Sequence, residues 1–147
     1  MLNWTSGTDL NEKSLCCIFF GTPCIYDNVI YQAGVTAVGK KKEGYVGMCA
    51  PTFKSRFGNH KTDFKHPGKR KHTRLAGYVW SLKDEGLEPN IKWQFLTRAT
   101  TFKPSSKTCR LCISEKFHIM HSKQDLASLN KRTEFFSSCL HKEKLLF

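Results

Sequence analysis

The fold is decided by two short segments, VIYQAGVT at residues 29–36 and YVGM at residues 45–48. In the first segment, every second residue from Val29 to Val35 lies on the same side, which is the period of a β-strand. The residues between the segments, from Gly39 to Gly44, are typical of a turn. The two segments therefore predict a β-hairpin with Tyr31 and Tyr45 on neighbouring strands.

A helix is predicted directly after the hairpin. Pro51 is tolerated in a first helical turn, and Phe53 and Phe57, four residues apart, would form its apolar edge. Arg56 and His60 are also four residues apart, so they would share another face. The basic stretch 61–72, with Pro-Gly at its middle, is predicted to be a loop.

The remaining elements complete an α+β pattern. Apolar residues from Leu75 to Leu82 recur at helical spacing, and residues 91, 93 and 95 alternate as a third strand. Helices are predicted over 111–121, with Leu111, Phe117 and Met120 in the core, and over 131–139. The order β-β-α-α-β-α-α predicts a small three-stranded antiparallel sheet flanked by helices.

The charge of the chain is strongly positive and concentrated. The 147 residues, enough for one domain, contain 24 Lys and Arg against 12 Asp and Glu, a formal charge of +12. Residues 40–74 hold 11 of the basic residues against two acidic ones. A solubilising surface could have this composition, but its position around the hairpin favours a polyanion such as DNA. The predicted nucleic-acid contacts are Lys40, Lys41, Lys42, Lys54, Lys61, Lys65, Lys69, Arg70, Lys71, His72 and Arg74.

The apolar runs and the cysteines indicate where in the cell the protein is expected. The apolar run from Cys16 to Phe20 is too short for a secretory signal or a membrane span. Seven cysteines without an export signal indicate reduced thiols or metal ligands. We therefore expect an intracellular protein that has no membrane partner. We also expect a nuclear location and no small-molecule cofactor.

The order of the polar residues resembles the GIY-YIG endonuclease family. Tyr31 ends the string VIY, Tyr45 begins the string YVG, and a helical Arg56 and His60 follow. Glu115 and Asn130 come later, in the order the family uses. The strings TFKSRFGNHK at 52–61, KW at 92–93, CRLCISEK at 109–116 and LNKRTE at 129–134 resemble the endonuclease of Penelope-like retroelements. The likeness covers about residues 28–135 and implies a DNA endonuclease that assists insertion of the element.

Residue chemistry points to the same reaction. Cleaving a phosphodiester needs an activated water, stabilised charge at phosphorus and help for the leaving oxygen. Glu115 is the sole carboxylate between Glu88 and Asp125, and one carboxylate with waters and phosphate oxygens suffices for Mg²⁺ or Mn²⁺. The guanidinium of Arg56 can bind a phosphate group through two hydrogen bonds.

The other site residues have predicted roles as well. Tyr31 is the candidate general base, helped by His60, and its ordinary pKa of ~10 must fall for that role. Tyr45 would orient water or a phosphate oxygen, and Asn130 would brace the site through hydrogen bonds. Each residue taken singly also fits an ordinary role in packing, at the surface or in a helix cap. Their joint occurrence in family order favours the nuclease.

A second metal site is predicted from the cysteines. Cys109 and Cys112 have zinc-knuckle spacing, and the resemblance implies a zinc site that includes Cys17 and Cys24. An alternative set replaces the upstream pair with Cys139 and His141. Ordinary buried thiols are the third interpretation.

The chain divides at the following predicted boundaries. Residues 1–15 are expected to be a poorly ordered lead-in, 16–28 a zinc-binding segment, 29–141 the nuclease-like domain and 142–147 a tail. Two alternatives to an active nuclease stay open at this level. One is a non-catalytic module that binds zinc and nucleic acid, and the other is a degenerate, inactive copy of the retroelement enzyme.

Overall fold

The computed structural model describes residues 26–100, 105, 108–121 and 126–130. The predicted α+β fold with a three-stranded antiparallel sheet is confirmed. The helix predicted over 131–139 and the segment 1–25 lie outside the described residues. The elements, in chain order, are β1 (Val29–Thr36), β2 (Glu43–Cys49), α1 (Phe53–Lys65), a single 3-10 turn (Pro67–Lys69), α2 (Arg74–Asp84), β3 (Asn90–Arg98) and α3 (Arg110–His121).

The sheet has the order β2-β1-β3, with β1 in the centre and both pairings antiparallel. Tyr31 on β1 lies opposite Gly47 of β2 and Phe95 of β3. The pairing of β1 with β3 shifts between Ile30 and Tyr31. A bulge of this kind increases the local twist and redirects side chains, and here it falls at the predicted catalytic tyrosine.

Helices cover both faces of the sheet, so β1 is buried on both sides. Val29, Tyr31, Ala33 and Val35 pack with residues of α1 and α2 in one apolar cluster. Ile30 and the β2 residue Val46 pack on the opposite face against the α3 residues Leu111, Cys112 and Ile119. The two faces of β1 therefore belong to two separate cores.

The α1 helix is longer than the sequence pattern predicted. It extends to Lys65, so the prediction of a loop over 61–72 was wrong for its first five residues. Thr52 caps the N-terminus, where its side chain accepts a hydrogen bond from the Ser55 amide, so Pro51 precedes the helix. His66, before Pro67, is extended and ends the helix, as expected of a residue that precedes proline.

The prediction that Phe117 belongs to the core was also wrong, because its side chain is 56% exposed. Leu111 is buried as predicted, together with Cys112 and Ile119, whereas Met120 is half-buried. In the described part of the chain, no helix has both the length and the apolar character needed to cross a bilayer.

Candidate active site

Tyr31 is the centre of a buried polar cluster. Its side chain is 0% exposed, and the ring packs edge-on against Phe53 at 5.1 Å between centroids. Its hydroxyl oxygen, Oη, lies 2.7 Å from Nε2 of His60 and accepts a hydrogen bond from Nε of Arg56 at 3.2 Å. The strand tyrosine and the two helical residues that the sequence singled out therefore meet at one atom.

Helix α1 brings Arg56 and His60 to that atom. The two residues are separated by one helical turn, so both point towards β1. Phe53 and Phe57 on the same helix pack around Trp93 of β3, which fixes the helix against the sheet. The His60 ring lies 5.3 Å from the Trp93 ring and stacks on Phe64.

Gly47 makes room for the two tyrosines. A Cβ atom at this position would lie 2.5 Å from Oη of Tyr31, 2.6 Å from its Cζ and 2.9 Å from Cε1 of Tyr45. These distances are too short for any side chain, so the last residue of the YVG string has to be glycine in this arrangement. Sequence reasoning used Gly47 only as part of a string, although the pairing of Tyr31 with Gly47 supplies the physical reason.

Tyr45 lies beside the same cluster. Its ring is 6.3 Å from the His60 ring, and its side chain hydrogen-bonds with Arg56. Burial raises the pKa of Tyr45 and, more strongly, that of Tyr31, while Arg56 opposes both shifts. The predicted fall in the pKa of Tyr31 is therefore not observed, because loss of hydration outweighs the nearby guanidinium.

His60 is neutral near pH 7. Burial lowers its pKa to about 3, and the charge of Arg56 acts in the same direction. Arg56 can only donate to Oη of Tyr31, which leaves the hydroxyl proton of Tyr31 for Nε2 of His60 in the tautomer whose ring proton is on Nδ1. Within the described residues, Nδ1 of His60 has no hydrogen-bond partner.

Glu115 approaches the cluster from the other side of the sheet. It lies on α3, which packs on β2 and β1, and it is half-buried. Burial raises the pKa of its carboxyl to about 7, although Lys116 and Arg56 both oppose the shift. The charge of Glu115 also raises the pKa of Tyr45. Glu115, Arg56 and Tyr45 are therefore close enough to act on one another electrostatically.

This carboxylate fits the predicted magnesium ion in its chemistry. Mg²⁺ commonly uses only one or two protein carboxylates and takes its remaining ligands from water and phosphate. A carboxyl whose charge is disfavoured by burial gains from a nearby divalent cation. Among the described residues, no group of three or more His, Cys, Asp or Glu side chains is arranged to hold a metal ion.

Asn130 braces the outer edge of β2. Its side chain donates from Nδ2 to the carbonyl oxygen of Val46 and accepts at Oδ1 from the amide of the same residue, both at 2.8 Å. Ser128 accepts from the Gly44 amide, and the Leu129 amide donates to the Gly44 carbonyl, again at 2.8 Å. These bonds hold the strand that carries Tyr45 and Gly47.

A cavity of about 430 Å³ opens next to Arg56. It lies between α1 and the beginning of α2, and its lining residues are Arg56, Asn59, Thr62, Asp63, Lys69, His72 and Thr73. Nδ1 of His72 lies 3.1 Å from Oδ1 of Asp63. Sequence reasoning missed Asp63, although an isolated acidic residue within a basic segment was a visible signal.

The basic residues of segment 40–74 differ in their surroundings. Lys40 forms a salt bridge with Glu85, and Arg70 forms one with Asp84. Arg56 belongs to the tyrosine cluster, and Lys61 and Lys69 are half-buried. Six side chains are exposed and available to a polyanion, namely those of Lys41, Lys42, Lys54, Lys65, Lys71 and Arg74.

The predicted zinc ligands are only partly visible. Cys109 and Cys112 are buried beside Ile30 and Val46 in the second core. Cys17, Cys24, Cys139 and His141 lie outside the described residues. The zinc site therefore stays a prediction.

No family model, curated protein or solved structure matches this chain.

Proposed function

We propose that this protein is a metal-dependent endonuclease of the GIY-YIG type that hydrolyses phosphodiester bonds in DNA. The observation that carries the proposal is the position of Oη of Tyr31, held between Nε of Arg56 and the neutral Nε2 of His60. A hydroxyl with a proton acceptor on one side and a phosphate-binding group on the other is suited to activating water beside a phosphate.

Tyr31 acts in this proposal as a proton relay and not as a free phenolate. The raised pKa of Tyr31 excludes a stable phenolate at neutral pH. When the water oxygen attacks phosphorus, its proton moves to Oη, and the original hydroxyl proton moves to Nε2 of His60. The new P–O bond forms as the bond to the leaving oxygen breaks, and that oxygen takes up a proton from solvent. His60 ends the step as an imidazolium.

Arg56 controls access to the relay. Because the Tyr31 side chain is fully buried, water reaches Oη only after a neighbour moves. Arg56 is half-exposed, and its bond to Oη is the longer of the two, at 3.2 Å. A phosphate competes for the guanidinium through charge-assisted bonds, so substrate binding would turn Arg56 outward and open Oη to water.

Glu115 would hold the Mg²⁺ or Mn²⁺ ion, which polarises the phosphate and stabilises charge on the leaving oxygen when bound. Tyr45, hydrogen-bonded with Arg56, would orient a phosphate oxygen or water. Asn130 keeps β2, and with it Tyr45, in register through Val46. The exposed lysines and Arg74 would bind the DNA backbone without sequence preference. The resemblance to Penelope-like elements supports a retroelement origin and a nuclear role in insertion.

The full burial of Tyr31 favours a second candidate, a non-catalytic module that binds nucleic acid and zinc. In that protein the bond between Tyr31 and His60 would be a structural hydrogen bond inside the core. A degenerate copy that has lost activity would show the same geometry.

Plasmid nicking separates these functions. We expect the wild-type protein to nick supercoiled plasmid with Mg²⁺. Tyr31→Phe should lower the rate on the order of 10²–10⁴-fold, since it removes the relay and leaves the ring in place. Glu115→Ala should also abolish most activity. Tyr78→Phe and Glu88→Ala, which remove the same groups outside the cluster, serve as matched controls.

DNA binding has to be measured on the same samples. Binding without nicking by the wild type would overturn the enzyme and support the binding module. Equal rates for Tyr31→Phe and Tyr78→Phe would overturn the proposed relay.

A further inference from the structure

We infer that the cavity beside Arg56 binds a second phosphate of the nucleic-acid strand, adjacent to the phosphate that Arg56 contacts, and that Asp63 positions His72 for this contact. The inference rests on the proposed function in one respect, namely that Arg56 faces a phosphate of a nucleic acid.

The charges in the cavity wall suit an anion. Arg56, Lys69 and His72 line it, and the one carboxylate in the wall, Asp63, is directed to His72. Asn59 adds a side-chain amide that can donate a hydrogen bond. The volume of about 430 Å³ falls within the range of ligand pockets and exceeds what a buried water would need.

Asp63 and His72 form an oriented pair. The Asp63 side chain is 9% exposed, whereas that of His72 is 56% exposed, so the carboxylate holds the imidazole from the inside. With Nδ1–H donated to Asp63, the other nitrogen, Nε2, is left for a ligand. In the protonated ring, Nε2–H can donate to a phosphate oxygen while Nδ1–H stays on Asp63.

The backbone around the pair is fixed. The carbonyl oxygen of Asp63 accepts a hydrogen bond from Nε1 of Trp80 at 2.9 Å. Thr73, which also lines the cavity, caps α2 by accepting from the Ala76 amide at 3.0 Å. The cavity therefore borders the N-terminus of an 11-residue helix, whose partial positive charge adds to that of the side chains.

A nucleic-acid strand suits this cavity better than a free anion does. Arg56 belongs both to the tyrosine cluster and to the cavity wall, so the two sites are contiguous. Consecutive phosphates along one strand would place one group at Arg56 and the next among Lys69 and His72. Arg110, the first residue of α3, is exposed, outside the lining and without a role in the proposed nuclease, so it provides a matched basic control.

Binding of short thymidine oligonucleotides, measured by calorimetry without metal, tests the inference. We expect the wild type to bind dTpTpT, with two phosphates, at least about tenfold more tightly than dTpT, with one. Lys69→Gln and His72→Gln should each reduce that ratio to the roughly twofold gain expected when a ligand merely offers two equivalent phosphates to one site. Arg110→Gln should keep the wild-type ratio. The salt dependence of binding to longer single strands should fall by about 0.7 in slope for Lys69→Gln.

A further variant tests the positioning role of Asp63. Asp63→Asn should lower the ratio of the affinities for dTpTpT and dTpT as much as His72→Gln does. The double variant with both substitutions should show no further loss, because Asp63 acts through His72. The ¹⁵N chemical shifts of the His72 ring should respond to dTpTpT in the wild type and respond less in Asp63→Asn. Since Asp63 is buried, the variants at Lys69 and His72 keep the test decisive if Asp63→Asn does not fold.

The outcomes separate this inference from the proposed hydrolysis. Unchanged ratios in both Lys69→Gln and His72→Gln would overturn the second phosphate site, even if the protein nicks plasmid. Binding of inorganic phosphate as tight as that of dTpTpT would also overturn it, because the cavity would then be a site for a small anion. If the affinity ratios are as expected but the wild type does not nick plasmid, the second phosphate site is supported and the proposed hydrolysis is refuted.

Discussion

Replacing Gly47 with alanine tests whether the two tyrosines really converge. The new Cβ atom would lie 2.5 Å from Oη of Tyr31 and 2.9 Å from Cε1 of Tyr45. Ordinary van der Waals contact begins near 3.4 Å, so Oη would have to retreat by about 0.9 Å. Phe53, Trp93 and His60 pack around the Tyr31 ring and oppose that movement.

Two magnitudes follow from this clash. Overpacking of a dense core typically costs about 1–3 kcal/mol, and we expect Gly47→Ala to lose that much free energy of unfolding. A retreat of about 0.9 Å would also break the 2.7 Å bond to Nε2 of His60. Displacements of this size at a reacting group cost on the order of 10²-fold in rate.

Urea unfolding and plasmid nicking measure the two effects. Gly58→Ala is the matched control, because a Cβ atom there would meet nothing within 4 Å and the residue lies inside α1. That control should gain about 0.5–1 kcal/mol from helix propensity and keep its activity. A Gly47→Ala protein as stable and as active as the wild type would refute the close approach of Tyr31 and Tyr45 at this glycine.

Three further predictions concern His60, Glu115 and Asn130. The pKa of His60 is about 3 in the folded protein and 6.5 unfolded, so the unfolded chain takes up a proton between these values and stability falls with falling pH. Urea titrations should therefore show the wild type losing about 2 kcal/mol more than His60→Gln between pH 7 and pH 5. The pKa of Glu115 is raised to about 7, and Mg²⁺ binds the ionised form of a carboxyl group. Calorimetry should therefore show about tenfold weaker Mg²⁺ binding at pH 6 than at pH 8. An Mg²⁺ affinity that does not change with pH would argue against Glu115 as the ligand. Asn130→Ala removes both hydrogen bonds to Val46 and should lower the free energy of unfolding by about 1–3 kcal/mol. Hydrogen exchange of the Val46 amide should become faster. The control Ser128→Ala removes one hydrogen bond to Gly44 and should cost about 1 kcal/mol.

The elements were predictable where the sequence has a clear period. The alternation from Val29 to Val35 and over residues 91–95 predicted strands, and β1 and β3 lie there. The α1 boundary was missed because four of the five residues from Lys61 to Lys65 are polar. Their helical state depends on the burial of Asp63 and Phe64 against neighbouring elements. The exposure of Phe117 was missed because its apolar character says nothing about which face of α3 meets the sheet.

The site was predictable in its residues but not in its electrostatics. The spacing of Arg56 and His60 indicated a shared face, and both residues contact Oη of Tyr31. The predicted role of Tyr31 as a general base required its pKa to fall. Burial decides the sign instead, and the depth of a residue in the core cannot be read from its local sequence.

That burial has one consequence for both partners of the central hydrogen bond. It raises the pKa of Tyr31 and lowers that of His60, so it disfavours the phenolate and the imidazolium alike. Proton transfer between the two residues alone would create both charged forms inside the core, and the resting pair therefore stays neutral. When a water supplies the replacement proton to Oη, the only new charge on the two side chains is the imidazolium, and it forms beside the negative charge that develops on the phosphate. The proposed relay is thus inactive without substrate and becomes favourable when a phosphate occupies Arg56.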